Sequence, residues 1–165
     1  MMNSYLFVLT LLAALGCAMM AGVFFAFSAF VMKALARLPA EQGVAAMQAI
    51  NVAAVTFAFM AALFGTAVAC GALAVWALLA WDERFTPYLI VGGALYLLGT
   101  ILLTIVYHVP RNEALARVEP HSAEAESHWK RYLSGWTAWN HLRAATALAA
   151  AATLTIALHV YSGLR

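Results

Sequence analysis

Polar side chains gather in four groups along an otherwise apolar sequence, and they include imidazole and amide groups that could do chemistry; three groups are short segments and one is a stripe along a helix. Gln48 and Asn51 are three residues apart, so a helix presents both on one face. Tyr107 and His108 open a second segment that continues Val-Pro-Arg-Asn112. An imidazole takes up a proton near neutral pH, and amide N–H groups donate to a developing negative charge. Because polar groups inside a membrane span need internal partners, these residues are the first candidates for a functional site.

The last polar segment is the densest and runs Trp136-Thr-Ala-Trp-Asn-His-Leu-Arg143. At about 100° per residue, Trp136, Asn140 and Arg143 share one arc of a helix with Tyr132. His141 lies on a different arc, among alanines. Because small residues allow close helix packing, we expect His141 to face the interior. Trp136 and Arg143 would then form part of a belt at the membrane interface.

A further polar pattern links the middle of the chain to these segments. Tyr96, Thr100, Thr104 and His108 recur every four residues, which predicts a polar stripe along one helix. Proline disfavours helical geometry at the residue before it, so Pro110 predicts that this helix ends near His108. The stripe would lead directly into the second polar segment.

The composition identifies the elements that must position these residues. The chain has 165 residues, of which 65% are hydrophobic and 10% charged. Soluble domains are about half apolar and about a quarter charged, so this composition excludes a water-soluble globule and a disordered chain. A net charge of +2 gives no footprint for nucleic acid. We predict an all-α integral membrane protein.

Four stretches without a formal charge, of thirty-two, forty, twenty-six and twenty-one residues, are each long enough to cross a bilayer once. A single domain over 1–165 would therefore be a four-helix bundle. An interfacial amphipathic connection is predicted at about 111–140. The predicted spans are 5–32, 52–79, 86–108 and 144–163.

The charges outside the spans predict an orientation. Seven Lys and Arg residues lie in the first and third connections, whereas two lie on the opposite side. The positive-inside rule then places both termini outside and the long third connection in the cytoplasm. The three short segments and the end of the stripe all fall at the cytoplasmic end, where they can converge at one mouth of the bundle. The alanine-rich sequence hints at a bacterial inner membrane.

Ligands other than lipid are constrained less firmly by the sequence. Small residues at spacing four along the first and second spans predict packing seams, within one chain or between copies of a homo-oligomer. Cys17 and Cys70 are isolated and form neither a zinc motif nor a disulfide framework. No cofactor is predicted, although His108 and His141 leave a haem or metal site open.

Four segments in order, Gly22–Met32, Ala46–Asn51, His108–Asn112 and Trp139–Arg143, carry a resemblance to a known family. The chain resembles the anthrone oxygenase family (DUF1772), a family of small four-helix membrane proteins. The resemblance covers nearly the whole sequence and differs from the family at two places. His108 and Arg111 stand where the family commonly reads Asn and Leu, so His108 carries no shared family role, and Ala144 stands where Thr is usual.

The resemblance implies oxidation of an anthrone, a lipophilic tricyclic aromatic, to an anthraquinone with O2. In the mechanism that we expect, His141 is the base, Asn112 and Asn140 donate to the enolate oxygen, and Arg143 supports them electrostatically. The residues expected to bind the substrate are Asn51, Gln48, Trp136, Trp139 and Tyr107.

Two other functions stay open at this point. The polar mouth would also suit a non-catalytic membrane binding or accessory protein. A haem- or metal-binding redox protein is the second alternative. The expected partners are membrane lipid and a small lipophilic aromatic, with no nucleic acid.

Overall fold

A computed structural model describes residues 4–163, and within that range it contains five helices and no strand. Four helices are long and apolar enough to cross a membrane: α1 (Ser4–Leu35), α3 (Phe57–Leu79), α4 (Thr86–Ala116) and α5 (Ala125–Ser162). The short helix α2 (Ala40–Ala53) lies between the first two of them. The chain is an integral membrane protein with an all-α, four-helix architecture, which confirms the predicted fold class and number of spans.

Two spanning helices include π-helical turns, a feature that often marks functional sites. In α1 the π-helical segment is Phe27–Val31, between the α-helical segments Ser4–Ala26 and Met32–Leu35. In α4, two π-helical segments separate α-helical ends, and the four parts are Thr86–Tyr96, Leu97–Leu102, Thr104–His108 and Val109–Ala116.

The spanning helices form a closed ring in which α5 packs against α1 and α4, and α3 packs against α4 and α1. Apolar side chains from all four fill the centre, including Met20, Leu73, Leu89 and Leu154. Cys17 and Cys70 belong to this core, with their sulfur atoms 3.8 Å apart. In the turn between α3 and α4, the adjacent Arg84 guanidinium holds the pKa of the Asp82 carboxyl below its ordinary value.

A second apolar cluster closes the end of the bundle that carries α2. It includes Met47 of α2 and Trp129 of α5. Gly43 makes this contact possible, because a Cβ there would lie 2.6 Å from Cε2 of Trp129. The Gln48 amide nitrogen donates to the carbonyls of Leu115 and Val118, each at 2.9 Å, and so fastens α2 to the end of α4.

Three predicted helix boundaries are wrong: the end of the third spanning helix and the starts of the second and the fourth. The third spanning helix does not end at His108 but continues through Pro110 to Ala116. Pro110 occupies the first turn after a π-helical segment, a position where its missing N–H is tolerated. The second spanning helix begins at Phe57 rather than at 52, because the Thr56 hydroxyl accepts a hydrogen bond from the Phe59 N–H and caps it there.

The largest difference concerns the predicted connection at 111–140. Most of it is helical, and α5 begins at Ala125 rather than at 144. Trp129, Tyr132 and Trp136 are buried at helical spacing and extend the inward-facing stripe of the transmembrane part. Packing against the other helices, rather than against an interface, therefore stabilises this half of α5.

Candidate functional site

A cavity of about 320 Å³ opens at the end of the bundle that carries α2. Its size falls in the range of small-molecule sites, and its wall is mainly apolar and aromatic, with Phe24, Phe27, Phe59 and Trp136 among the lining residues. All five helices contribute to the wall. The polar lining residues are Asn51, Thr104, His108, Asn112 and Arg143.

Arg143 is the lining residue that carries a formal charge, and it is 7% exposed to solvent. Its Nη1 donates to the Thr104 hydroxyl at 3.2 Å, while the Thr104 hydroxyl donates to the Thr100 carbonyl at 2.7 Å. The centre of its guanidinium group lies 3.9 Å from the centroid of the Phe24 ring. Arg143 is therefore held between α1 and α4, with an aromatic face against its charge.

Asn140 fixes the guanidinium from the same helix. Its carbonyl oxygen accepts from Nε of Arg143 at 3.1 Å and from Nη2 at 2.6 Å. The Asn140 amide nitrogen donates to the Phe24 carbonyl and to the Ser28 hydroxyl, both at 2.7 Å. These bonds use the whole amide, and Asn140 does not line the cavity. It positions Arg143 instead of meeting a ligand.

Arg143 has no acidic partner. All seven Asp and Glu residues lie in the described part of the chain, and none forms an ion pair with its guanidinium. Nη1 and Nη2 each use one N–H in the bonds above, and each carries a second. A buried cation of this kind is normally paired with an anion. The cavity therefore offers unused donors and an uncompensated positive charge.

His108 lies in the same wall and is 1% exposed. Neither ring nitrogen makes a hydrogen bond of normal geometry, although the backbone of Trp139 lies close to the ring. The rings of Trp136 and Tyr107 meet the imidazole edge to face, with centroids 5.0 and 5.5 Å away. The imidazole of His108, which can accept a proton when it is neutral, is therefore surrounded by aromatic side chains.

Two amides complete the polar lining. The Asn112 oxygen accepts from the Tyr132 hydroxyl at 2.8 Å and from the Trp136 indole at 3.0 Å. Because an indole N–H can only donate, this network identifies the oxygen and leaves the Asn112 amide nitrogen as a donor. The Asn51 amide nitrogen is buried and makes no hydrogen bond of normal geometry, although the Asn51 side chain lies close to the Tyr132 hydroxyl.

The structure brings Asn51, Asn112, Trp136 and Arg143 to one cavity, with Asn140 directly behind. The other predicted site residues lie elsewhere. Gln48 fastens α2, as described above. Tyr107 lines a separate cleft of about 290 Å³ that also includes Arg111 and Arg131. Trp139 is exposed and packs on the outer side of Tyr107, with ring centroids 4.9 Å apart.

His141 is on the wrong face of α5 for the predicted interior position. It is exposed and lies in a groove on the outer surface between α1 and α5, together with Ala144 and Ala145. The prediction assumed that alanines mark the inner face, but α5 carries them on both faces. Ala147 and Ala150 are fully buried on the arc that continues from Asn140 and Arg143. The belt predicted for Trp136 and Arg143 is therefore an interior stripe.

Two residues of the site received no catalytic or substrate-binding role from the sequence. Thr104 and His108 belong to the stripe at spacing four, and that stripe does face the interior, since Tyr96, Thr100 and His108 are all buried. The periodicity was thus the signal that located them. Within residues 4–163, no group of three or more His, Cys, Asp or Glu side chains is arranged to hold a metal ion.

The fold and the cavity define a class: a small four-helix membrane protein with a largely apolar cavity at one end and a buried cation in the wall of that cavity. A family model described as "Anthrone oxygenase" matches residues 53–153. This chain belongs to the anthrone oxygenase family. Neither a curated protein nor a solved structure matches the chain. The matched range contains α3, α4 and most of α5, which together supply His108, Asn112 and Arg143.

Proposed function

We propose that the cavity binds a small, flat, lipophilic aromatic ketone of the anthrone type and that the protein catalyses its oxidation by O2. One observation carries this proposal: Arg143 is a buried cation without a carboxylate partner, in the wall of an otherwise apolar cavity. When an anthrone loses a C–H proton, negative charge develops on its oxygen. The remaining N–H groups of Arg143 are suitable donors to that oxygen, and their effect is strong where water is excluded.

The overall reaction balances without an external reductant. The substrate CH2 group becomes a carbonyl, one atom of O2 supplies the carbonyl oxygen, and the other leaves as water with the two substrate hydrogens. The enolate is electron-rich enough to react with O2 directly. The protein must therefore bind the rings, stabilise the enolate and provide a group that accepts the C–H proton.

The other lining residues have supporting roles in this proposal. The Asn112 amide nitrogen is a second donor for the substrate oxygen, held in place by the bonds that Tyr132 and Trp136 make to its carbonyl oxygen. Asn51 adds a further amide to the same wall, from α2. The aromatic side chains of Phe24, Phe27, Phe59 and Trp136 suit the faces and edges of a tricyclic ligand.

A lipophilic substrate would reach this cavity from the bilayer. Val55 lies at the break between α2 and α3, lines the cavity and is 71% exposed, and the neighbouring Val52 and Phe57 are 78% and 90% exposed. By the positive-inside rule this end faces the cytoplasm. Labelling of a cysteine introduced at Ser122 with a membrane-impermeant reagent, in intact and in permeabilised cells, tests this orientation. We expect reaction only in permeabilised cells, and reaction in intact cells would show that this end faces outward.

Oxygen uptake by the purified protein in detergent, with anthrone as substrate, tests the function. We expect uptake above the autoxidation blank with formation of an equal amount of anthraquinone. R143Q should lose this activity, whereas R131Q, which removes an exposed arginine outside the cavity, should retain it. No uptake by folded wild-type protein would refute the oxygenase proposal. In that case, saturable binding of anthrone would identify a binding protein, and haem absorbance or bound metal would identify the redox alternative.

A further inference from the structure

His108 has a feature that the fold does not explain. Buried polar groups in proteins are nearly always hydrogen-bonded, and leaving one without a partner destabilises the folded state. Both nitrogens of this buried imidazole lack a good hydrogen bond, and the ring lies in the cavity wall rather than in a closed core. A group that is unsatisfied in the empty protein but faces a ligand site is a candidate for contact with the ligand.

Within the described chain, the groups around the ring include cations and phenols but no paired carboxylate. Arg143 and Arg111 are the cations that act on it, and the titratable rings nearby are Tyr107 and, across Asn112, Tyr132. No carboxylate in residues 4–163 is paired with it. A neutral imidazole has one nitrogen with a free lone pair, which can accept a proton. Arginine cannot take this role, since it stays protonated in proteins.

We propose that His108 is the base that removes the C–H proton of the substrate. This inference rests on the proposed function. The C–H bond breaks, its proton goes to a ring nitrogen of His108, and the electron pair passes into the enolate, whose oxygen lies against Arg143. His108 and Arg143 line the same cavity, and both contact the ring of Trp136, from 5.0 Å and 5.5 Å. One ligand lying across Trp136 would meet the base and the donor together.

The proton returns later in the same cycle. The enolate carbon bonds to O2 and forms a substrate peroxide anion, and the imidazolium of His108 gives its proton to the outer peroxide oxygen. Loss of the second hydrogen from the same carbon and cleavage of the O–O bond then give the carbonyl and water. His108 ends neutral, so the cycle needs no other proton donor and no external reductant.

Anaerobic hydrogen–deuterium exchange isolates the first step. Anthrone in D2O exchanges its CH2 hydrogens each time the base removes a proton, and mass spectrometry follows this without O2. We expect wild-type protein to accelerate exchange above the buffer blank, and H108N to lose about 10²–10⁴-fold of that acceleration. H141N is the matched control, because it removes an exposed histidine of the same end of the bundle. It should exchange at the wild-type rate.

A second variant separates chemistry from folding. H108A leaves a space beside the cavity, and added free imidazole should restore exchange in H108A while leaving the wild type unchanged. A purely structural role for His108 would not produce this rescue. If wild-type protein takes up O2 with anthrone and H108N exchanges as fast as wild type, the base assignment is overturned while the oxygenase function stands. If the wild type neither exchanges nor takes up O2, both proposals fail.

Discussion

Replacement of Arg143 by methionine should separate activity from stability. Methionine is unbranched, flexible and apolar, although shorter than arginine, and the variant removes the charge together with three hydrogen bonds, two to Asn140 and one to Thr104. If Arg143 serves mainly to hold the fold, R143M should unfold readily. If it serves to meet a negative charge in the cavity, R143M should fold well and fail in catalysis.

The expected magnitudes follow from the environment of the guanidinium. Placing an arginine within a membrane helix costs about 2.5–3.5 kcal/mol at the bilayer centre, and less towards the ends. Removing it relieves that cost, but leaves the buried Asn140 oxygen without a donor, which costs about 1–3 kcal/mol. These terms nearly cancel, so we expect the free energy of unfolding to change by no more than about 2 kcal/mol. Loss of an oxyanion donor lowers the rate about 10²–10³-fold.

Two measurements on the same preparation decide between the roles. Thermal unfolding in detergent should give R143M a midpoint close to that of the wild type, while kcat for anthrone-dependent O2 uptake falls by about 10²–10³-fold. R143K is the companion variant: it keeps the charge, loses the planar fork, and should retain part of the activity. A strongly lowered unfolding midpoint for R143M, together with unchanged kcat in the folded fraction, would refute a catalytic role for Arg143.

Three further predictions concern the surroundings of the site. N112L leaves the Tyr132 hydroxyl and the Trp136 indole without an acceptor, and should lower the free energy of unfolding by about 2–4 kcal/mol, measured in chemical denaturation. G43A forces a Cβ against the Trp129 ring and should lower the unfolding midpoint, whereas the control G22A, with no atom within 4 Å, should not. Q48A loses both hydrogen bonds, to Leu115 at the end of α4 and to Val118 just after it, and should lower the free energy of unfolding by about 1–3 kcal/mol; α2 should become more sensitive to proteolysis, with kcat retained at temperatures where the variant is folded.

The sequence predicts the class of fold and the end of the bundle that carries the site, but not the inner face of α5. Four uncharged stretches require four spans, and the polar stripe from Tyr96 to His108 faces inward as its spacing predicts. The choice between the arcs of His141 and Arg143 could not be made from residue type, because alanines lie on both. Three-dimensional packing decides it: the stripe of Arg143 continues through buried Ala147 and Ala150.

The sequence also fails to predict where α4 ends. Pro110 normally predicts a helix end, and the site would then have been divided between a helix and a loop. The π-helical turn before it allows the helix to continue, so that His108 and Asn112 stay on one helix, one turn apart. π-helical turns are rare, and neither the hydrophobic pattern nor Pro110 predicts one here. The stripe predicts that His108 faces inward, but the placement of Asn112 one helical turn beyond it could be obtained only from the structure.

The hydrogen bonds around Arg143 connect these separate features into one argument. Ser28 and Phe24 of α1 hold Asn140, Asn140 holds the guanidinium, and Thr104 of α4 holds it from the other side. A donor fixed by two neighbouring helices before any ligand arrives needs little reorganisation when charge develops next to it. A cation that only stabilised the bundle would be better paired with a carboxylate, and none is paired with it in the described chain. The network therefore favours a partner that becomes negative during the reaction, as an enolate does.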